Sequence, residues 1–168
     1  MKIRIANWIH DSIVDGPGLR FSLFTQGCPH HCPHCHNPQT HDPQGGYLVD
    51  TDEIITEIKK NPLLSGITIT GGEPMLQPDA VLELLQQTKL LGMDSVVYTG
   101  YVYEDLLLQN NTTITSILQT ADYLIDGPFV ESLKSLDLLF RGSSNQRIID
   151  LKKTNHHHLV LCTSFEND

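Results

Sequence analysis

Positive charge is scarce in this chain. Eleven Lys and Arg face 20 Asp and Glu, a net charge of −9, and no basic run occurs anywhere. Binding to phosphate backbones is driven by Lys and Arg, so nucleic acid is not expected as a partner. Long apolar runs are also missing: none approaches the ~20 residues that span a bilayer. The opening segment Met1–Trp8 is too polar for the core of a secretory signal. A cytoplasmic protein with no membrane association is expected, acting on a protein or a small molecule. Cysteine is sparse as well, four in 168 residues, and Cys28, Cys32 and Cys35 fall within eight positions. That clustering is a poor disulfide framework and a good metal loop in a reducing compartment. Cys162, in an apolar run, reads as a small buried hydrophobe.

With 39% hydrophobic and 18% charged residues, the chain has the balance of one globular domain. No internal repeat or low-complexity linker interrupts it. Strand-like runs occur at Arg20–Thr25, Gly66–Thr70, Ser95–Thr99, Tyr123–Asp126 and Arg147–Leu151. Helical patterns lie between them. One starts at Asp50, with Asp50 capping and Glu53 reaching back. A second follows Pro78, with Val81, Leu84, Leu85, Thr88 and Leu91 at helical spacing and Gly92 as its stop. A third covers Thr115–Thr120. Alternating short strands and helices predict an α/β fold with a parallel sheet. Ligands of such sheets sit at the carboxyl ends of the strands, and every unusual loop here follows a strand.

The cysteine loop, Cys28-Pro29-His30-His31-Cys32-Pro33-His34-Cys35-His36-Asn37, offers three thiolates at CxxxCxxC spacing. Pro33 resists a regular helix, so the loop is expected to curl around a centre. Taken alone it admits two readings. One is a structural zinc site of Cys₃His type closed by His31, His34 or His36. The other is an iron–sulfur cluster that, with three protein thiolates instead of four, keeps one iron open. One strand further on, Gly71-Gly72-Glu73-Pro74 allows close approach of a ligand to backbone. Its carboxylate is suited to accept hydrogen bonds from an ammonium group.

Together the three-cysteine loop and Gly-Gly-Glu-Pro resemble the radical S-adenosylmethionine superfamily. The resemblance implies an incomplete (partial) βα barrel with a mostly parallel sheet. It also implies one 4Fe–4S cluster held by Cys28, Cys32 and Cys35, with S-adenosylmethionine on the open iron, split on reduction to methionine and a 5′-deoxyadenosyl radical. Asp15-Gly16-Pro17-Gly18-Leu19-Arg20 resembles the entry motif of activators of glycyl-radical enzymes. Tyr98–Tyr101, Asp126–Phe129 and Phe140–Gln146 resemble, jointly, the subfamily that activates anaerobic ribonucleoside-triphosphate reductase.

By that resemblance His34, Cys35 and His36 would contact the cosubstrate. Gly71, Gly72 and Glu73 would bind its methionyl end. Asp126 would act at a strand end facing the pocket, and Asp15 would meet the partner's backbone. His30, His31 and His41 read as plain surface histidines. The implied partners are the large catalytic subunit of that reductase and an external reductant such as flavodoxin. Rival readings are an activator of the pyruvate formate-lyase type, a small-molecule enzyme such as 7-carboxy-7-deazaguanine synthase, and a zinc-binding adaptor. The activase domain is expected over residues 1–151. Residues 152–168, including His156-His157-His158, are expected to form a solvated tail of unknown role.

Overall fold

The computed structural model describes residues 1–155 and 157–163. One seven-stranded sheet organises them. Its strands are β1 (Lys2–Ser12), β2 (Arg20–Thr25), β3 (Tyr47–Asp50), β4 (Gly66–Gly71), β5 (Asp94–Tyr98), β6 (Tyr123–Asp126) and β7 (Arg147–Asp150), in the order β3-β1-β2-β4-β5-β6-β7. The central four, β2, β4, β5 and β6, run parallel. Antiparallel strands flank them: β1 and β3 on one side, β7 on the other. The sheet stays open, so the molecule is the partial βα barrel expected.

Side chains alternate between the two faces of a strand, and here the faces differ in chemistry. Phe21, Leu23, Ile67, Ile69, Val97 and Leu124 point to one side, where they join the main core. The helices α1 (Thr51–Lys59), α2 (Pro78–Leu90) and α4 (Thr112–Thr120) contribute Ile54, Ile58, Val81, Leu84, Leu85, Ile114 and Ile117 to that core. The intervening strand residues Arg20, Ser22, Phe24, Thr68, Thr70 and Tyr98 face the other way. A smaller cluster of Val96, Ile125, Ile148 and Cys162 lies on that second face.

Local signals explain the helix ends. Asp50 accepts a hydrogen bond from Asp52 N–H at 3.1 Å and caps α1; Glu53 sits in the first turn, where its charge suits the positive helix end. Gly92, at φ +75°, follows α2, so Leu91 falls at the helix end, 38% exposed, instead of on its buried face. Asn111 caps α4 through Thr113 and Ile114 N–H, starting that helix three residues earlier than periodicity alone indicates.

Three elements have no counterpart in the expectations: β1, β3 and the short helix α3 (Tyr103–Leu108). In β1 a register shift between Ile5 and Asn7 breaks the alternation that marks a strand. Strand β7 is antiparallel because the chain returns from β6 through an irregular segment with only a 3₁₀ turn at Glu131–Leu133. A parallel return needs a full crossover.

Part of the segment beyond β7 packs against that strand. Asp150 N–H donates to Val160 O at 2.9 Å and Cys162 N–H to Ile148 O at 2.8 Å, so the chain folds back along β7. Cys162 is buried there, while His157 and His158 are exposed; His156 lies outside the described residues. Among the described residues, no helix is long and apolar enough to cross a membrane.

Candidate functional site

The loops after β2, β4, β5 and β6 converge at the carboxyl ends of the parallel strands and enclose a cavity of about 340 Å³. Cys28, Cys32 and Cys35 line it, as do Gly71 and Gly72, Thr99 and Gly100, and Gly127 and Phe129.

The cysteine loop curls without becoming helical. His31 and His34 take left-handed conformations at φ +49° and +58°. Cys35 N–H reaches back to Cys32 O at 3.2 Å, and Asn37 N–H points at Cys35 Sγ at 3.4 Å. All three thiols are free and half-buried. Partial burial pushes the Cys28 thiol up; Glu73 and the other two cysteines add to this, and the His30 N–H opposes it. A bound metal offsets such a penalty, because metal binding deprotonates its thiols.

Histidine placement differs from expectation. His34 is not among the cavity-lining residues; it is 70% exposed and meets Glu131 at 3.0 Å. The left-handed turn at His34 itself sends its ring outward. His36 does line the cavity, 4.8 Å from the Phe129 ring. Two histidines read as surface residues, His30 and His41, line it as well.

The Gly-Gly-Glu-Pro turn is built by close backbone approach. A Cβ on Gly72 would sit 2.3 Å from Gly27 O, and one on Gly71, at φ +97°, would sit 2.5 Å from Thr25 N. Glycine is therefore required at both positions. Glu73 is fully buried. Its carboxylate accepts hydrogen bonds from Thr99 Oγ1 at 2.9 and 3.0 Å, Gly100 N–H at 2.8 Å and Met75 N–H at 3.0 Å, and it meets His30 Nε2 at 2.6 Å. It does not line the cavity. The expected ammonium acceptor is thus occupied by protein donors, and it ties the cysteine loop to the ends of β4 and β5. Gly100 makes room for this: a Cβ there would meet the His30 ring at 2.4 Å.

Asp126 also departs from expectation. It is fully buried and does not line the cavity. Its carboxylate accepts from Tyr103 N–H at 2.8 Å and pairs with Arg147, which also grips Glu104 at 2.7 Å. This cluster locks β6, β7 and the start of α3 together. Asp15 does line the cavity. Ser12 Oγ donates to its carboxylate at 2.5 Å, and Thr68 Oγ1 donates to its backbone carbonyl at 2.8 Å. Beneath it, buried Arg20 donates to Thr68, Pro17 O and Ile67 O and pairs with Asp94 at 2.7 Å, fixing the entry segment.

The far wall is the Phe140–Gln146 segment. Gln146 Oε1 accepts from Gly142 and Ser143 N–H, and its amide donates to Gly127 O at 3.1 Å. Tyr98, buried so that its phenol is pushed far above the usual range, donates to Phe140 O at 2.6 Å.

The donor set suits a cluster. Three reduced thiols are soft ligands, and they share one cavity with a glycine floor that leaves space beside them. Among the described residues, no three His, Cys, Asp or Glu are grouped as around a single metal ion.

Comparison with known proteins agrees. Residues 14–149 match the family described as 4Fe-4S single cluster domain. The anaerobic ribonucleoside-triphosphate reductase-activating protein of Escherichia coli (strain K12) is 35% identical over 149 residues, which cover 83% of this chain and 94% of that one. The pyruvate formate-lyase-activating enzyme of Clostridium pasteurianum is 33% identical over 119 residues, 66% of this chain and 50% of that one. Among solved structures, QueE from Escherichia coli superposes with a TM-score of 0.48 at 17% identity, covering 60% of this chain and 53% of that chain. With three thiols and a glycine turn round one cavity, and this identity along nearly the whole of a relative, the chain belongs to the radical S-adenosylmethionine superfamily and, within it, to the family of anaerobic ribonucleoside-triphosphate reductase-activating proteins.

Proposed function

We propose that this protein activates an anaerobic ribonucleoside-triphosphate reductase by installing a glycyl radical on its large catalytic subunit. The observation that carries the reading is the convergence of Cys28, Cys32 and Cys35 with the Gly71–Gly72 turn on one cavity. When bound, a 4Fe–4S cluster supplies the electron that cleaves the sulfonium of S-adenosylmethionine, and a glycine Cα–H of the partner is the hydrogen source.

The chain's own residues hold and shield this chemistry. Cys28, Cys32 and Cys35 would hold the cluster, and with three protein thiolates it would offer an open iron to the amino-acid end of the cosubstrate. Gly71 and Gly72 bring backbone against that end, where any side chain would collide with β2 or its following loop. Glu73 acts one step back: through His30, Thr99 and Gly100 it holds the cysteine loop against the cosubstrate side. His36 and Phe129 form one aromatic wall and Phe140 another, and apolar walls exclude water from a reactive centre. Asp15 lines the cavity from the entry segment, and its assigned role is to meet an incoming backbone. Asp126 supports the site from behind as a positioning residue.

Cys162 is buried away from the loop, so the electron is assigned to an external donor such as reduced flavodoxin. Free thiols and the lack of basic runs support a cytoplasmic protein that binds no nucleic acid. Residues 1–151 are assigned as the activase unit, and beyond them Val160 and Cys162 pair with β7.

The test is anaerobic reconstitution with iron and sulfide, reduction, and incubation with S-adenosylmethionine and the reductase. The expected products are 5′-deoxyadenosine and a glycyl-radical doublet on the large subunit. Cleavage without a doublet, while a pyruvate formate-lyase partner run alongside does give one, would transfer the assignment to that enzyme.

A further inference from the structure

His41 stands at the foot of the cysteine loop and carries a polar atom that the protein leaves unanswered. Its backbone is tied to the loop: Cys28 N–H donates to His41 O at 3.2 Å, and Gly27 N–H to Thr40 O at 2.7 Å. A 3₁₀ turn over Pro38–Thr40 leads into it, with His41 N–H closing on Pro38 O at 3.2 Å. Its ring meets His31 edge-on, centroids 5.8 Å apart, and lines the same cavity as the three cysteines. Yet Nε2 is buried and has no hydrogen-bond partner among the described residues. Buried polar atoms are nearly always paired, so an orphan on a cavity wall calls for a partner in that cavity: a water, an ion or a ligand.

The position of His41 decides which ligand. Its backbone hydrogen bonds and its ring contact are with the cysteine loop and the turn that follows it, whereas the glycine cradle for the cosubstrate is built from the ends of β4 and β5. Resting on the functional reading above, we propose that His41 Nε2–H donates a hydrogen bond to a sulfur of the cluster held by Cys28, Cys32 and Cys35. His41 is thereby a positioning and tuning residue and not a ligand. Hydrogen bonds to cluster sulfurs set reduction potential. Reduction adds negative charge to those sulfurs, so a donor stabilises the reduced form more than the oxidised one and raises the midpoint potential. In this chain that makes the cluster easier to charge from an external donor.

Three full-length proteins, the parent, His41→Phe and His41→Gln, are reconstituted anaerobically. Iron and sulfide content is measured, and the reduced cluster is followed by paramagnetic resonance during a redox titration. Phe keeps an aromatic ring without a donor; Gln keeps an N–H. The expected result is equal iron in all three, a midpoint shifted to more negative potential in His41→Phe, and a midpoint near the parent's in His41→Gln. The spectral change on adding S-adenosylmethionine should survive in His41→Phe. An unmoved midpoint with a normal cluster overturns the inference alone. So does loss of iron from a folded His41→Phe, which would make His41 a ligand. Loss of the cosubstrate response with an unmoved midpoint overturns it too, by assigning Nε2 to the cosubstrate. A parent chain that assembles no four-iron cluster overturns the functional reading and this inference together.

Discussion

Glu73 shows how far a motif letter and a side chain's surroundings can diverge. Its carboxylate is buried and accepts from two backbone N–H groups and a hydroxyl while meeting an imidazole. Removing one partner of a buried set leaves the others unsatisfied, at a cost of about 1–3 kcal/mol for each group. Glu73→Ala should therefore lower unfolding free energy by at least about 3 kcal/mol in urea titration, and weaken cosubstrate binding indirectly as His30 loses its anchor. A surface-like change below about 0.5 kcal/mol would show that the carboxylate does not brace the loop. Cys32→Ala should behave oppositely. Cys32 is half-buried and outside both apolar clusters, so stability should move by less than about 1 kcal/mol, while iron content collapses and 5′-deoxyadenosine formation becomes undetectable. Three cysteines and two glycines stood out in the sequence by their spacing, and the structure brings them to one cavity; the spacing alone left zinc and iron–sulfur both open, and the resemblance implied the cluster. The histidines were not legible. Five of them crowd residues 30–41, and which rings turn inward depends on left-handed turns at His31 and His34 that composition does not reveal.

Among the elements, β2 and β4 carried more information than their apolar content. Parallel strands covered on both faces read as continuous apolar runs, but Ile67-Thr68-Ile69-Thr70 alternates, and so does Arg20-Phe21-Ser22-Leu23. That alternation marks a sheet with helices on one side and a polar, site-bearing face on the other, as the structure has it. The edge elements were hidden by a bulge in β1 and by the brevity of β3 and α3. At the far edge, β6, β7 and α3 are joined through Asp126, Arg147 and Glu104. Arg147→Met would strand the buried Asp126 carboxylate; since Arg147 is partly exposed, the expected loss is about 2–3 kcal/mol, somewhat below that for a fully buried pair. The Glu104 carboxyl is held below its usual range, chiefly by hydrogen bonds from Arg147. Its contribution is accordingly complete above the ordinary Glu value of about 4.3 and lost as pH falls through the lower folded value. With its side chain 56% exposed, the pair is worth well under about 1 kcal/mol. The urea midpoint of the parent should fall between about pH 5 and 3 slightly more than that of Glu104→Gln; equal slopes would remove Glu104 from the lock.

At the scale of the whole molecule, an open sheet places all four strand-end loops at one mouth. The α/β class and the parallel centre were legible from alternating strands and helices. The pairing of Val160 and Cys162 with β7 was not, since nothing in Lys152–Thr163 has a strand's periodicity. An incompletely closed barrel suits a substrate that is a loop of another protein, and the exposed Ile13 and Val14 lie on the entry segment beside Asp15. The account depends on one coordination position being left open by three thiols. It is tested most directly by the paramagnetic resonance spectrum of the reduced, reconstituted chain with and without S-adenosylmethionine. A changed spectrum from an intact four-iron cluster is the predicted result. An identical spectrum, with four iron per chain retained, would contradict it.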